Sequence, residues 1–266
     1  ARGRDQSGAS WCQNEIVQLN RTSTGYKANE IPHSSRNGDQ GQAVRDGTLA
    51  DGAGGGGEMS RVSLVHCTPD AEKLIVRMAR VSNPANQNND ETAPRLLRYL
   101  IKHAHFSPFE MATMCVKIET ERDIAAQILR HRSFFYQEFS QRYAKTAPAE
   151  CPYMRLQDHK NRQNSLDELD EETQAYWADK TARVIAQSYS LYEEMLQQGI
   201  AKETARRILP LCTPTTLYMH STLRSWIHYI QLRSANGTQA EHREIALACR
   251  DIFAEQFPVI AEAAFA

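Results

Sequence analysis

Eleven of the thirteen glycines lie before Met59, and that asymmetry limits which part of the chain can fold. Residues 1–58 are rich in Gly, Ser, Asn, Gln and Asp and run into Gly54-Gly55-Gly56-Gly57-Glu58. Apart from a short patch around Ile16, Val17 and Leu19, apolar residues there follow neither a helix nor a strand period. Such a segment cannot bury enough apolar surface to offset the entropy of ordering it. It is expected to be disordered. A glycine run followed by Glu58 and Met59 also reads like a translated ribosome-binding leader. Residues 1–58 are therefore expected to be a disordered or non-native leader, and residues 59–266 to carry the fold.

From Arg61 the texture changes. Arg61 to Cys67 reads as a strand. Thr68-Pro69-Asp70 reads as a helix start, with Thr68 as the cap, and Leu74, Ile75, Met78 and Ala79 continue it as a helical stripe. Thr92 and Pro94 open a second helix. Met111 to Thr120 alternates, with Ala112, Met114, Val116 and Ile118 on one side, as a half-buried strand does. Glu121 to Arg132 reads as a helix, Leu166 to Gln198 as a long charged helix ending at Gly199, and Ala201 to Leu209 as a short one stopped by Pro210. Thr215 to Ser221 reads as a strand. Thr222 to Leu232 and Gln239 to Phe257 read as helices, the second closed by Pro258. Few strands among many helices, without regular alternation, predict the α+β class.

Composition excludes several classes. With 266 residues, 41% hydrophobic, the chain is long enough for one sizeable core. A net charge of −1 argues against a dedicated nucleic-acid binder. No apolar run approaches the ~20 residues of a membrane span, and no signal peptide is visible. The six cysteines are scattered without metal-ligand spacing, which predicts reduced thiols in a cytoplasmic protein and no metal site.

The chemistry concentrates in Arg130-His131-Arg132-Ser133-Phe134-Phe135-Tyr136-Gln137-Glu138-Phe139-Ser140-Gln141-Arg142-Tyr143. An arginine fork grips phosphate through paired N–H donors. Most charge clusters are solvated faces. Here, however, Ile124, Ile128 and Leu129 place an apolar stripe directly before Arg130, and five aromatics interleave with the charges. This stretch resembles the signature of the flavin-dependent thymidylate synthases: Arg-His-Arg, seven residues, then Ser, with Glu two positions before that Ser. His105-Phe106-Ser107-Pro108-Phe109-Glu110, Ala205-Arg206-Arg207-Ile208-Leu209-Pro210 and the run from Leu223 to Arg233 are similar to further segments of the family. The resemblance covers about Arg61 to Phe257.

The resemblance implies a single α+β domain with a central antiparallel sheet flanked by helices. It implies reductive methylation of dUMP to dTMP, with methylenetetrahydrofolate as one-carbon donor and FAD, reduced by NADPH, as hydride carrier. The dUMP contacts carry over onto Gln127, Arg130, Glu138, Ser140, Gln141, Arg142, Arg206 and Arg233. Those to FAD carry over onto His105, Ser107, Arg130, His131, Arg132, Glu138, Arg224 and His228. Arg233 is expected to be catalytic, stabilising negative charge on the uracil, as a fixed cation beside an ionisable ring does. Ser140 is expected to help by hydrogen bonding, since no His–Asp pair stands beside it to activate a nucleophile. The family also implies a homotetramer with active sites shared between subunits. Its flavin-contacting histidine has no clear counterpart here, and His242 is left open for that role. No Gly-x-Gly-x-x-Gly is present, so flavin is not expected on a Rossmann turn.

Two other readings compete. One is a flavin-dependent pyrimidine nucleotide hydroxymethylase on the same scaffold. The other is a module that stacks single-stranded bases on the Arg–aromatic cluster. The second predicts salt-dependent oligonucleotide binding and no flavin, and the near-zero net charge weighs against it.

Overall fold

The computed structural model describes residues 61–266. The expectation for residues 1–58 lies outside them. The described residues form one α+β unit built on a four-stranded antiparallel sheet, as expected. In chain order the elements are β1 (Arg61–Cys67), α1 (Ala71–Ala79), α2 (Ala93–Lys102), β2 (Thr113–Glu121), α3 (Arg122–Ile128), β3 (Phe135–Glu138), β4 (Leu156–Gln157), β5 (Ser165–Leu166), α4 (Glu171–Gln197), α5 (Lys202–Ala205), β6 (Pro214–Thr222), α6 (Leu223–Arg233), α7 (Ala240–Gln256) and α8 (Pro258–Phe265). Single turns of 3₁₀ helix occupy Pro84–Asn86, Ser107–Glu110 and Arg206–Ile208. The sheet order is β1-β2-β6-β3, and β4 and β5 form a separate two-stranded ribbon.

The alternation read in the sequence sets which face is covered. Met114, Val116 and Ile118 of β2 and Leu217 and Met219 of β6 are buried. They face a core completed by Ile75, Leu97, Ile124, Trp226, Ile230 and Phe253 from the helices. The opposite face carries Lys117, Tyr218 and His220 and is less covered. Burial of each large side chain in this core stabilises by about 1.5–3 kcal/mol.

The two central strands each run directly into a helix. Glu121 ends β2 and stands at the N-cap position of α3, without a side-chain capping bond. Thr222 ends β6 and caps α6, its hydroxyl accepting from Ser225 N–H. β2 and β6 pair along their whole length, from Thr113 opposite Thr222 to Glu121 opposite Pro214. The two helices therefore leave from opposite ends of the sheet, and the turn after α3 has to travel back before β3 can join β6 with Phe135 opposite His220.

Several boundaries differ from the sequence reading. α3 stops at Ile128, so the Arg-His-Arg triplet stands on a turn and not on the last turn of a helix. Thr68 does not cap α1: its hydroxyl is taken by Thr113 N–H across the sheet, and Asp70 in a left-handed conformation starts the helix instead. The long helix begins at Glu171, capped by Asp170, while Leu166 belongs to the ribbon. Only its first turn and a 3₁₀ turn survive of the short helix after Ala201. Pro258 closes α7 but also opens α8, since a proline is accommodated in the first turn of a helix. Gly199 ends α4 with φ 81°, the left-handed position expected of it. The five cysteines in the described residues are free thiols.

Candidate active site

The signature turn is held by its aromatics, which separates their roles from one another. Phe134 is buried, edge-on to Trp226 at 4.9 Å and to Tyr229 at 5.7 Å between ring centres. Trp226 in turn donates its indole N–H to the Met114 carbonyl at 2.9 Å. The Tyr136 hydroxyl donates to the carbonyls of Ile128 and His131, at 2.9 and 3.0 Å, and closes the turn from the other side. Burial pushes that phenol well above its ordinary pKa, so it stays a donor. Phe135, by contrast, is 74% exposed. With Phe134 inward and Tyr136 clasping the backbone, Arg130 and Arg132 are exposed and His131 is half-buried.

Arg233, at the end of α6, meets this turn. Its Nε–H donates to His131 Nε2 at 2.8 Å. Burial, then the positive charge of Arg233, then His228, lowers the His131 pKa to about 4. The imidazole is therefore neutral at physiological pH, with Nε2 as acceptor. Among the described residues no carboxylate pairs with Arg233. One edge of its guanidinium is thus fixed by a neutral partner, and the full positive charge remains for a ligand.

The remaining expected residues fall into distinct groups. A recess of about 700 Å³ is lined by Phe106, Ser133, Phe135, Arg224, Ser225 and His228, among others. It brings together three of the segments expected to hold flavin: the 105–110 segment, the turn after Arg132, and the start of α6. Arg224 is ion-paired with Glu110, another lining residue. The donor set suits a flavin dinucleotide, with an arginine and serine hydroxyls for phosphate and an exposed phenyl ring for stacking. His105 and Ser107 are exposed on the neighbouring turn, His105 lying 6.0 Å from the Tyr99 ring.

Ser140 and Arg142 line a separate recess of about 380 Å³ with Tyr143, Ala201, Lys202 and Glu203. Arg142 pairs with Glu203 at 3.0 Å, both well exposed. Arg206 follows α5 directly and is half-buried. Gln141 is buried with its Nε2 unpartnered. Glu138 is bound by Arg122 and accepts from the Thr215 hydroxyl at 3.0 Å. It is anchored to the sheet, a use the sequence did not suggest. Gln127 hydrogen-bonds to Gln239 and His242. The sequence had not linked those two to it, although the i, i+3 spacing of Gln239 and His242 at the start of α7 places them on one face.

A third recess, about 460 Å³, is unsuited to phosphate. It is lined by Glu119, Glu121 and Glu150. Burial, then Asp123, Glu241 and Glu150, raises the Glu121 pKa to about 7.

Comparison with known proteins identifies the family. Residues 63–259 match the family described as thymidylate synthase complementing protein. The chain is 57% identical over 194 residues to a probable flavin-dependent thymidylate synthase of Paramecium bursaria Chlorella virus 1, covering 73% of this chain and 90% of that protein. It is 53% identical over 192 residues to the flavin-dependent thymidylate synthase of Synechocystis sp., covering 72% and 88%. Among solved structures it resembles a UMP/dUMP methylase, PolB from Streptomyces cacaoi, bound with 5-Br dUMP, with TM-score 0.67, 26% identity, and coverage of 77% of this chain and 93% of that one. With the signature turn, the segments around it and the sheet that carries them all accounted for, the chain belongs to the flavin-dependent thymidylate synthase family.

Proposed function

We propose that residues 59–266 are the catalytic domain of a FAD-dependent thymidylate synthase, which methylates dUMP to dTMP with methylenetetrahydrofolate as one-carbon donor and NADPH as reductant. The observation that carries the reading is Arg233 set against His131 of the signature: an uncompensated guanidinium, oriented by a neutral imidazole. When bound, FAD supplies the hydride chemistry. Arg224, His228, Ser133 and the His105–Glu110 turn would hold it, with Arg130, His131 and Arg132 at its edge.

The protein's own part is binding, orientation and electrostatics. Arg142, Arg206 and Ser140 bind the nucleotide phosphate. Arg142 must exchange Glu203 for the phosphate, a modest cost because exposed ion pairs contribute only about 0–1 kcal/mol. Arg233 stands beside the uracil and favours its anionic form on loss of the N3 proton. Its Nε is committed to His131, so its terminal nitrogens present the planar fork. Gln127 contributes a carboxamide at the same end. Glu138, held by Arg122, keeps β3 in place beneath Ser140.

The recess lined by Ser140 and Arg142 shares no lining residue with the one lined by Arg224 and His228. A site that needs both sets is completed by residues of more than one chain, which supports a homotetramer with shared active sites. No described helix is long and apolar enough to cross a membrane, and we place the enzyme in the cytoplasm. The test is spectroscopic. Purified protein should show a flavin spectrum that bleaches with NADPH and returns on addition of dUMP with methylenetetrahydrofolate. Protein that carries no flavin and retains oligonucleotides in a salt-dependent way would instead favour the nucleic-acid reading.

A further inference from the structure

A chain of side-chain hydrogen bonds runs from Gln239 through Gln127 to His242. The Gln239 Oε1 accepts from Gln127 Nε2 at 2.6 Å. The Gln127 amide is thereby turned so that its own Oε1 meets His242 Nδ1 at 3.3 Å. Two acceptors cannot share that contact, so His242 carries its proton on Nδ1. Its Nε2 is buried without a partner. Burial, then Arg233 and His131, lowers its pKa to about 3, which leaves a single proton on the ring.

We propose that His242 is a positioning residue for the nucleotide: its Nδ1–H, together with Gln239, fixes the Gln127 carboxamide in one polarity. This rests on the reading that Gln127 contacts dUMP. With one N–H given to Gln239 and one lone pair to His242, the carboxamide retains one donor and one acceptor for a ligand. That pattern complements the N–H/C=O edge of a pyrimidine, and it does so in only one order. An amide free to flip would present the reverse order half the time and leave a polar group unpaired, which costs about 1–3 kcal/mol. His242 is fully buried against Tyr229 and His131, 5.9 and 6.3 Å away between ring centres. It is absent from the lining of the flavin recess.

The test is dUMP affinity by calorimetry on the flavin-loaded, full-length protein, with melting temperature as a check on folding. His242→Leu keeps bulk and removes the donor. His242→Asn places an amide N–H near the position of Nδ1. We expect Leu to weaken dUMP binding about tenfold and Asn to restore it to within about threefold of wild type. Gln127→Ala should weaken binding about as much as His242→Leu, and the double variant no further, because the histidine acts through the glutamine. Where the leucine variant fails to fold, His242→Gln, whose donor falls at the Nε2 side, replaces it and should bind as weakly as Gln127→Ala. Additive losses in the double variant, or a leucine or glutamine variant that binds like wild type, would overturn the proposal. Wild-type protein that binds no dUMP would overturn the functional reading, and this proposal with it.

Discussion

At the scale of single residues, the proposed function gives the two arginines Arg142 and Arg233 separable duties. Arg142 lies in a recess beside Lys202 and is exposed. If it grips the phosphate, its bonds act equally in ground and transition states. Arg142→Ala should then raise the Kd for dUMP with little effect on turnover of bound substrate. Arg233→Ala should do the reverse, slowing single-turnover flavin reoxidation at saturating dUMP by about 10²-fold or more while flavin stays bound and NADPH-reducible. Arg233→Lys should recover only part of the rate, since it keeps the charge but loses both the fork and the Nε contact with His131. Reoxidation of Arg233→Ala at the wild-type rate would remove it from catalysis. The candidate residues themselves were legible because the signature packs unusual residue types at fixed spacing. Their partners were not. Nothing near Arg233 in sequence points to His131, 102 positions away, and nothing near Glu138 points to Arg122. Such pairs are set by which helix ends the fold brings together.

Buried titratable groups at this scale also give a pH signature. In the unfolded chain His131 and His242 titrate near 6.5; in the fold they titrate near 4 and 3. Between those values the unfolded chain holds more protons, so both contribute a loss of stability as pH falls from about 6.5. Glu121 works oppositely. Its pKa rises from 4.5 to about 7 on folding, so its contribution is fully present below 4.5 and is lost as pH rises through 7. Glu121→Gln should therefore steepen the decline in melting temperature on acidification from pH 7 to pH 4.5. Identical profiles for the variant and wild type would mean that Glu121 titrates normally.

At the scale of elements, helical stripes and the alternation in β2 were readable because burial on one face imposes a period on the sequence. Boundaries were less so. The helix over Glu121 to Arg132 was read too long because the apolar stripe ends at Leu129 and nothing local marks the turn. What stops α3 is tertiary: Phe134 packs on Trp226 and Tyr136 takes the Ile128 and His131 carbonyls. β3 was missed for a related reason. Only four residues long, it draws its pairing entirely from β6. Gly199 offers a clean test of an element end that was read correctly. A Cβ there would meet nothing within 4 Å, so only the φ of 81° opposes substitution. Gly199→Ala should cost about 1 kcal/mol in denaturant unfolding without altering activity. A neutral substitution would mean that the end of α4 relaxes out of the left-handed conformation.

At the scale of the whole molecule, the recess lined by Ser140 and Arg142 and the recess lined by Arg224 and His228 share no lining residue. Along α4, Trp177, Val184 and Leu191 recur at seven-residue spacing and are all exposed, a stripe a monomer has no evident reason to leave bare. Light scattering should accordingly report a tetramer, and a stable monomer with full turnover would contradict shared active sites. The class of the fold was legible from its few strands and many helices, whereas assembly could be reached only through the resemblance. The most direct test of the central claim is the identity of the nucleotide product. Flavin-loaded protein, reduced anaerobically with NADPH, is given dUMP and methylenetetrahydrofolate in a single turnover, and the nucleotide is analysed by mass spectrometry. The expected result is dTMP, formed in step with flavin reoxidation. Unchanged dUMP, or a hydroxymethylated nucleotide with the flavin still reduced, would contradict it.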